Sequence, residues 1–256
     1  PICKEVIKMN MLVDYTSLVF VIASIFSIIL ATGVNANGRA TLLTSLPELA
    51  FIGMYIGLVI MLGNMNDPAD VPISLAICCL PALYAFIVYL VTVSTNVNTE
   101  IEKIQPRTKQ RAAGTIIFLM VLIYATSVNH PAFLDSFTVV AVSILVFLVA
   151  VIQKMSGGFS SIKTRDLLPT IGMIVGVIGS IVALANIYDP KSIGPAMAVA
   201  YLGVIYTSVI RVLWLILQPT NETEEPYERV VHFAYGRFLL PIITVTVLLV
   251  AFQLQQ

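Results

Sequence analysis

Charge is what this sequence most lacks. Of its 256 residues only 11% are Asp, Glu, Lys or Arg, against roughly 25% in an ordinary soluble domain. The 14 basic and 14 acidic side chains cancel, so no chain-wide field draws the protein to nucleic acid or to an acidic substrate. Three cysteines (Cys3, Cys78, Cys79) and two histidines (His130, His232) are too few and too scattered for a metal cage or a disulfide framework. Cys78 and Cys79 sit side by side in an apolar run and read as packing residues. The connectors hold no nucleophile–base pair, no phosphate-cradling glycine loop and no metal-ligand spacing, which argues against an enzyme and against a cofactor. What is abundant is apolar surface: 58% of residues are hydrophobic and the mean hydropathy is +0.95. The solvent of such a chain is mainly lipid, and the expected class is an all-α, polytopic membrane protein.

A spanning helix needs about 20 mostly apolar residues. Eight stretches meet or approach this, at approximately 15–33, 47–64, 71–94, 114–129, 134–152, 168–186, 194–217 and 237–254. The first has no small-residue cleavage pattern and is read as uncleaved. Basic residues sort sharply by side. Connectors one-two, three-four, five-six and seven-eight hold Arg39, Lys103, Arg107, Lys109, Arg111, Lys154, Lys163, Arg165, Arg229 and Arg237, whereas the other side has Lys4, Lys8 and Lys191. The positive-inside rule then places these four connectors in the cytoplasm and both termini outside. On this topology the sequon at Asn221-Glu222-Thr223 is cytoplasmic and reads as chance.

The chain also matches itself when shifted by 122 positions. Pro47 meets Pro169, Ile56-Gly57 meets Ile178-Gly179, Asn64 meets Asn186, Asp67-Pro68 meets Asp189-Pro190, Tyr84 meets Tyr206, Arg107 meets Arg229 and Gly114 meets Gly236. Apolar matches are cheap in so biased a composition, but polar, proline and glycine matches in one register are not. The reading is a duplication of four helices, residues 1–130 and 131–256. An even number of spans per unit puts the two copies in parallel orientation.

The second copy carries Pro169-x-x-Gly172-Met173-Ile174-Val175-Gly176-Val177-Ile178-Gly179, then Asp189-Pro190-Lys191-Ser192-Ile193-Gly194-Pro195-Ala196-Met197-Ala198-Val199-Ala200. This resembles the third and fourth membrane helices of the MotA family of flagellar stator subunits, especially its sodium-type PomA members, and more distantly TolQ and ExbB. The segments Phe133-Leu134-Asp135 and Leu12-Val13-Asp14 are similar to the family's entry into its second helix. The resemblance implies a bacterial inner-membrane location and a hetero-oligomer with a single-span MotB/TolR/ExbD-like helix that supplies a carboxylate. It implies a periplasmic turn at Asp189, Pro190, Gly194 and Pro195, and at Asp67 and Pro68 in the first copy. An ion route or partner-helix surface would follow Gly176, Gly179, Ala200 and Gly203, with Gly53, Gly57 and Pro81 as first-copy counterparts. Pro169, Pro219 and Pro47 would couple ion passage to cytoplasmic movement. Spans four to seven follow the order of one family unit, and span eight has the place of a first helix with nothing after it, able to complete the first copy in space.

Departures from the pattern are equally informative. Where the family has hydroxyls on the route, this chain has Val175-Gly176, Gly53-Met54, Gly203-Val204 and Pro81-Ala82. Sodium needs oxygen ligands, so a proton is the better expectation. The large cytoplasmic insert of the family shrinks to about a dozen residues around Arg39 and around Lys163. Inside the apolar stretches ionisable groups are rare and costly. Glu48 is expected at the cytoplasmic mouth of span two, and Arg211 near enough to the cytoplasmic end of span seven to snorkel or to meet a carboxylate such as Glu48. The competing readings are an ion-driven MotA-like subunit and a non-conducting scaffold. A small secondary transporter is disfavoured because no broken helix or midplane charge marks a substrate site.

Overall fold

The computed structural model describes residues 13–34, 36–63, 71–95, 108–185 and 190–218. Its regular elements are all helical: α1 (Tyr15–Thr32), α2 (Ala36–Gly63), α3 (Val71–Cys78), α4 (Leu80–Ser94), α5 (Thr108–Thr126), a 3-10 segment (Ser127–Phe133), α6 (Ser136–Met155), α7 (Ser161–Ala185) and α8 (Pro190–Leu217). In hydrocarbon a chain must satisfy its own backbone, and helices do so within each segment. Six described stretches are long and apolar enough to cross a membrane: Tyr15–Thr32, Asn37–Leu62, Ser74–Ser94, Pro131–Met155, Ser161–Ala185 and Ala196–Leu217. The protein is a multi-pass helical membrane protein. The fourth expected span corresponds to α5, a 19-residue helix that carries Lys109 and Arg111 near its start and is not among those six. The eighth, 237–254, lies outside the described residues.

Three helix boundaries differ from the sequence expectation. Span two begins at Ala36 rather than near residue 47, and span six at Ser161 rather than near residue 168. The polar residues that look like connector are accommodated within the helix, their hydroxyls satisfied on the preceding turn: Thr41 on the Asn37 carbonyl at 2.9 Å, Thr44 on Ala40 at 2.8 Å and Ser45 on Leu42 at 3.0 Å. Pro47 and Pro169 therefore stand inside α2 and α7, about three and two turns from their starts, and not at their first turns. Span three, expected as one helix, is interrupted at Cys79. Pro81 has no N–H for the Ile77 carbonyl and its ring crowds that turn. The chain crosses the interruption with Cys79 N–H on the Ala76 carbonyl at 3.2 Å and Leu83 N–H on Cys79 at 3.0 Å. The expected absence of a broken helix is thus corrected; 122 positions after Pro81 stands Gly203, and α8 is continuous there.

The core gathers on α2 and α8, with α1, α4 and α5 against them. α2 is 89% buried over its span, whereas α6 is 11% buried and lies at the edge. α5 packs on α1, where Gly114 sits so close that a Cβ would fall 2.5 Å from Ala31 Cβ. The described basic side chains Arg39, Lys109, Arg111, Lys154 and Lys163 fall at the bundle end where α2, α5 and α7 begin and α4, α6 and α8 end. There Arg39 donates to the Thr92 carbonyl at 2.7 Å and Arg111 to the Leu217 carbonyl at 3.2 Å, serving the electronegative ends of α4 and α8.

Candidate functional site

The residues singled out by resemblance fall on two helix pairs, α2 with α3–α4 and α7 with α8. Small residues let helix backbones approach closely in a membrane, and each pair is built on such contacts. A Cβ added at Gly179 would lie 2.6 Å from the Ala200 Cα, and one at Gly57 would lie 3.1 Å from the Cys78 Cα. These pairs are counterparts in the 122-residue register. One layer along, Gly203 receives Val175, with 2.6 Å from its would-be Cβ to Cγ1, while Gly53 receives Pro81, with 2.5 Å to Cβ. Here the small and large partners have exchanged helices between the two pairs: small on α8 in one, small on α2 in the other. Gly172 abuts the Thr207 hydroxyl, which donates to the Gly203 carbonyl at 2.9 Å, and Ser180 donates to the Gly176 carbonyl at 2.9 Å. Gly176 is itself buried. These positions make helix-to-helix contacts within the chain.

Two buried hydroxyls, Thr207 and Ser180, were not singled out from sequence. Each stands one turn beyond a glycine of the motif, a spacing that points at the same helix face.

The two helix pairs meet along α2 and α8. Tyr55 and Tyr201 stack with ring centroids 5.1 Å apart at 24°. Deeper toward the basic end, the Arg211 guanidinium bonds the Glu48 carboxylate, with side-chain exposures of 11% and 2%. Asp166 stands 4.0 Å from the other Arg211 nitrogen and 3.2 Å from Arg165 Nε. Glu48 is not at a helix mouth: with α2 starting at Ala36, it lies in the interior of that helix. Burying either charge alone is prohibitive, whereas the pair is tolerated because each neutralises the other. The partners Asp166 and Arg165 carried no sequence signal beyond lying near the polar start of α7.

Contacts 48 with 211 and 55 with 201 show that α2 and α8 run oppositely, and 172 with 207 and 179 with 200 show the same for α7 and α8. α2 and α7 therefore point the same way. An apolar recess of about 430 Å³ opens beside this joint, bordered by Ile56, Phe133, Val142, Ile205 and Tyr206. Among the described residues no group of three His, Cys, Asp or Glu is placed to hold a metal. Pro219, Asp189, Asp67 and Pro68 lie outside the described residues, and Pro190, Gly194 and Pro195 fall in the first turns of α8.

No family model matches the chain and no solved structure matches it. Three curated proteins match over a short stretch. The chemotaxis protein PomA of Vibrio alginolyticus is 47% identical over 45 residues, 18% of each chain. A motility protein A of Cereibacter sphaeroides is 49% identical over 45 residues, 18% of each chain, and one of Aquifex aeolicus is 44% identical over 48 residues, 19% of each. The match thus spans about a fifth of the length of these relatives. Over that stretch the chain is related to the MotA/PomA motility proteins.

Proposed function

We propose that the chain is a MotA-like membrane subunit of a proton-driven stator or related energy-transducing complex in the bacterial inner membrane. It comprises eight spans in two parallel four-helix repeats, 1–130 and 131–256, with both termini outside. The repeats pack around a single-span MotB/TolR/ExbD-like helix that supplies the titrating carboxylate. The observation that carries this reading is the 44–49% identity to three motility proteins. The glycine-built hairpin α7–α8 and its counterpart α2 with α3–α4 support it, since Gly179 and Gly57, 122 positions apart, make the matching close contacts on Ala200 and Cys78. A proton is favoured over sodium because the motif positions Gly53, Gly176 and Gly203 have no side-chain oxygen to replace a hydration shell. Asp189 to Pro195 and Asp67-Pro68 are assigned to the periplasmic turns, and Pro47, Pro169 and Pro219 to coupling.

A second reading, a non-conducting scaffold of a larger membrane machine, is favoured by the close contacts of Gly172, Gly179 and Gly203, which leave α7 and α8 in direct contact along the motif. One experiment separates the two. The chain is purified with its native partners, any single-span partner is identified, and proton flux is measured in proteoliposomes with and without that partner's membrane carboxylate. Flux that needs the carboxylate supports the stator reading. A partner held equally well with no flux in either form supports the scaffold, and a chain that retains no single-span partner overturns the leading proposal.

A further inference from the structure

We propose that Glu48 is a proton-binding site built into this chain, and that Arg211 passes from Glu48 to Asp166 when the Glu48 carboxyl is protonated. The site is the chain's own and stands whether or not a partner helix brings a second carboxylate. Arg211 on α8 bonds Glu48 on α2, while its other terminal nitrogen stands 4.0 Å from Asp166 on α7, near but beyond hydrogen-bond reach. Two acids from two helices therefore flank one guanidinium, and Asp166 is also held by Arg165 Nε at 3.2 Å. Arg211 is 9% exposed, yet its Nε is buried with no hydrogen-bond partner. A fixed structural pair is worth its burial only when its donors are satisfied, and here one donor is left unused inside the cluster. The two acids also differ in access, with side-chain exposures of 2% for Glu48 and 28% for Asp166. Asp166 stands in the second turn of α7, at the basic end of the bundle.

Protonating the acid of an ordinary buried pair strands its cation, and that cost keeps the acid ionised. This cluster has an alternative. With Glu48 ionised, Arg211 serves Glu48 and Arg165 serves Asp166. When water at the basic end delivers one proton to a Glu48 carboxylate oxygen, that carboxyl becomes neutral, and Arg211, still protonated, moves onto Asp166, which then lies between two guanidinium groups. Each ionised group has an opposite charge beside it in both states, and the cluster gains one positive charge. The turns that must adjust are loosened ones. Pro47 precedes Glu48 and Pro169 lies three residues past Asp166, both inside their helices, and a proline offers no N–H to the carbonyl four residues back. Other charges on the surrounding described helices stand apart from this exchange. α1, α3 and α4 contain no Asp, Glu, Lys, Arg or His. α6 brings Lys154 and α5 brings Lys109, both exposed, and Arg111 of α5 is engaged at the Leu217 carbonyl.

Infrared difference spectra of the full-length protein in lipid nanodiscs test this without any partner or ion flux. As the pH is lowered from about 8 to about 5.5, above the range in which exposed carboxyls titrate, the parent should gain the C=O stretch of one protonated carboxyl. Arg211→Met with Glu48→Leu should abolish that band. Glu48→Asp should move it, which identifies the group even if the double variant fails to fold. Asp166→Asn removes the second seat for Arg211 and should weaken proton uptake at Glu48 about tenfold, so that the band's midpoint falls by about one pH unit, and Asp166→Glu should restore it. Three results would overturn the proposal: no protonated carboxyl over this range, which leaves Glu48 and Arg211 a fixed structural pair; a band that Glu48→Asp leaves unmoved or the double variant retains, which belongs to another acid; or a midpoint in Asp166→Asn equal to the parent's, which means that Arg211 does not change partner.

Discussion

Tyr84 and Tyr206, 122 positions apart, make the same contact: each hydroxyl accepts the backbone N–H of the aspartate that starts a neighbouring helix, Asp14 at 3.2 Å and Asp135 at 3.3 Å. Both aspartates are N-caps, of α1 and α6, accepting the Ser17 N–H at 2.8 Å and the Thr138 N–H at 2.7 Å. Tyr206 also donates to the Phe133 carbonyl at 2.6 Å. Tyr206→Phe should therefore cost about 1 kcal/mol of stability, read as a lowered thermal midpoint in detergent. Tyr84→Phe should cost a similar amount. No change in either variant would mean that the paired contacts do not tie the helix starts to the core.

Removing one partner of the Arg211–Glu48 pair leaves a buried charge alone, at about 3–5 kcal/mol. Arg211→Met and Glu48→Gln should each lower yield and thermal midpoint sharply, whereas Arg211→Met with Glu48→Leu should recover most of the loss. Additive losses in the double variant would show that the two side chains act independently.

The exchanged layer at Gly203 and Gly53 allows a repacking test. Gly203→Val drives a side chain into Val175 and should cost about 1–3 kcal/mol. Adding Val175→Gly places the small residue on α7 and the large one on α8, as Gly53 and Pro81 are placed on α2 and α4, and should restore most of the loss because the number of helical glycines is unchanged. Gly179→Leu has no such rescue, because the Ala200 backbone lies in the way, and it should cost assembly before it alters any flux. The exposed change Val177→Leu on the same helix should leave the fold unaffected.

Asp14 lies just outside the first span. Burial raises its carboxyl pKa, but hydrogen bonds from Ser17 and Thr16 together outweigh this and hold it below the ordinary 3.8. A carboxyl depressed on folding contributes stability above the unfolded value and loses it as pH falls through the folded one. Unfolding midpoints measured from pH 6 down to about pH 3 should therefore fall less steeply in Asp14→Asn than in the parent. Parallel curves would show that the cap contributes no pH dependence.

Topology is checked independently by reporters. Lys109 and Lys163 should be reached from the cytoplasmic side and tags at either terminus from outside, following ten basic residues against three. A Lys109 reporter exposed outside would reverse the assignment of every connector.

The amino-acid sequence by itself determined the class and the register. A scarcity of charge leaves only lipid as solvent, and long apolar runs in lipid have little choice but helix, so the apolar stretches within the described residues are helical as hydropathy implies. Proline, glycine and tyrosine matches 122 positions apart also mark equivalent places without reference to any contact. Helix ends were less legible. Thr41, Thr44 and Ser45 lie in the second and third turns of α2 with their hydroxyls satisfied on carbonyls four or three residues back, and a hydropathy pattern does not distinguish such residues from a connector. The break at Cys79 was carried by Pro81, yet Pro47 and Pro169 leave their helices continuous, so the residue type alone did not decide. What only the tertiary structure decided is which faces meet. Glu48 and Arg211 are 163 positions apart, and their pairing required α2 and α8 to pack antiparallel. Ile52, Tyr55 and Val59 on α2 are buried while the equally apolar Ile174, Val177 and Ile181 on α7 are exposed, because burial belongs to the neighbour a helix receives.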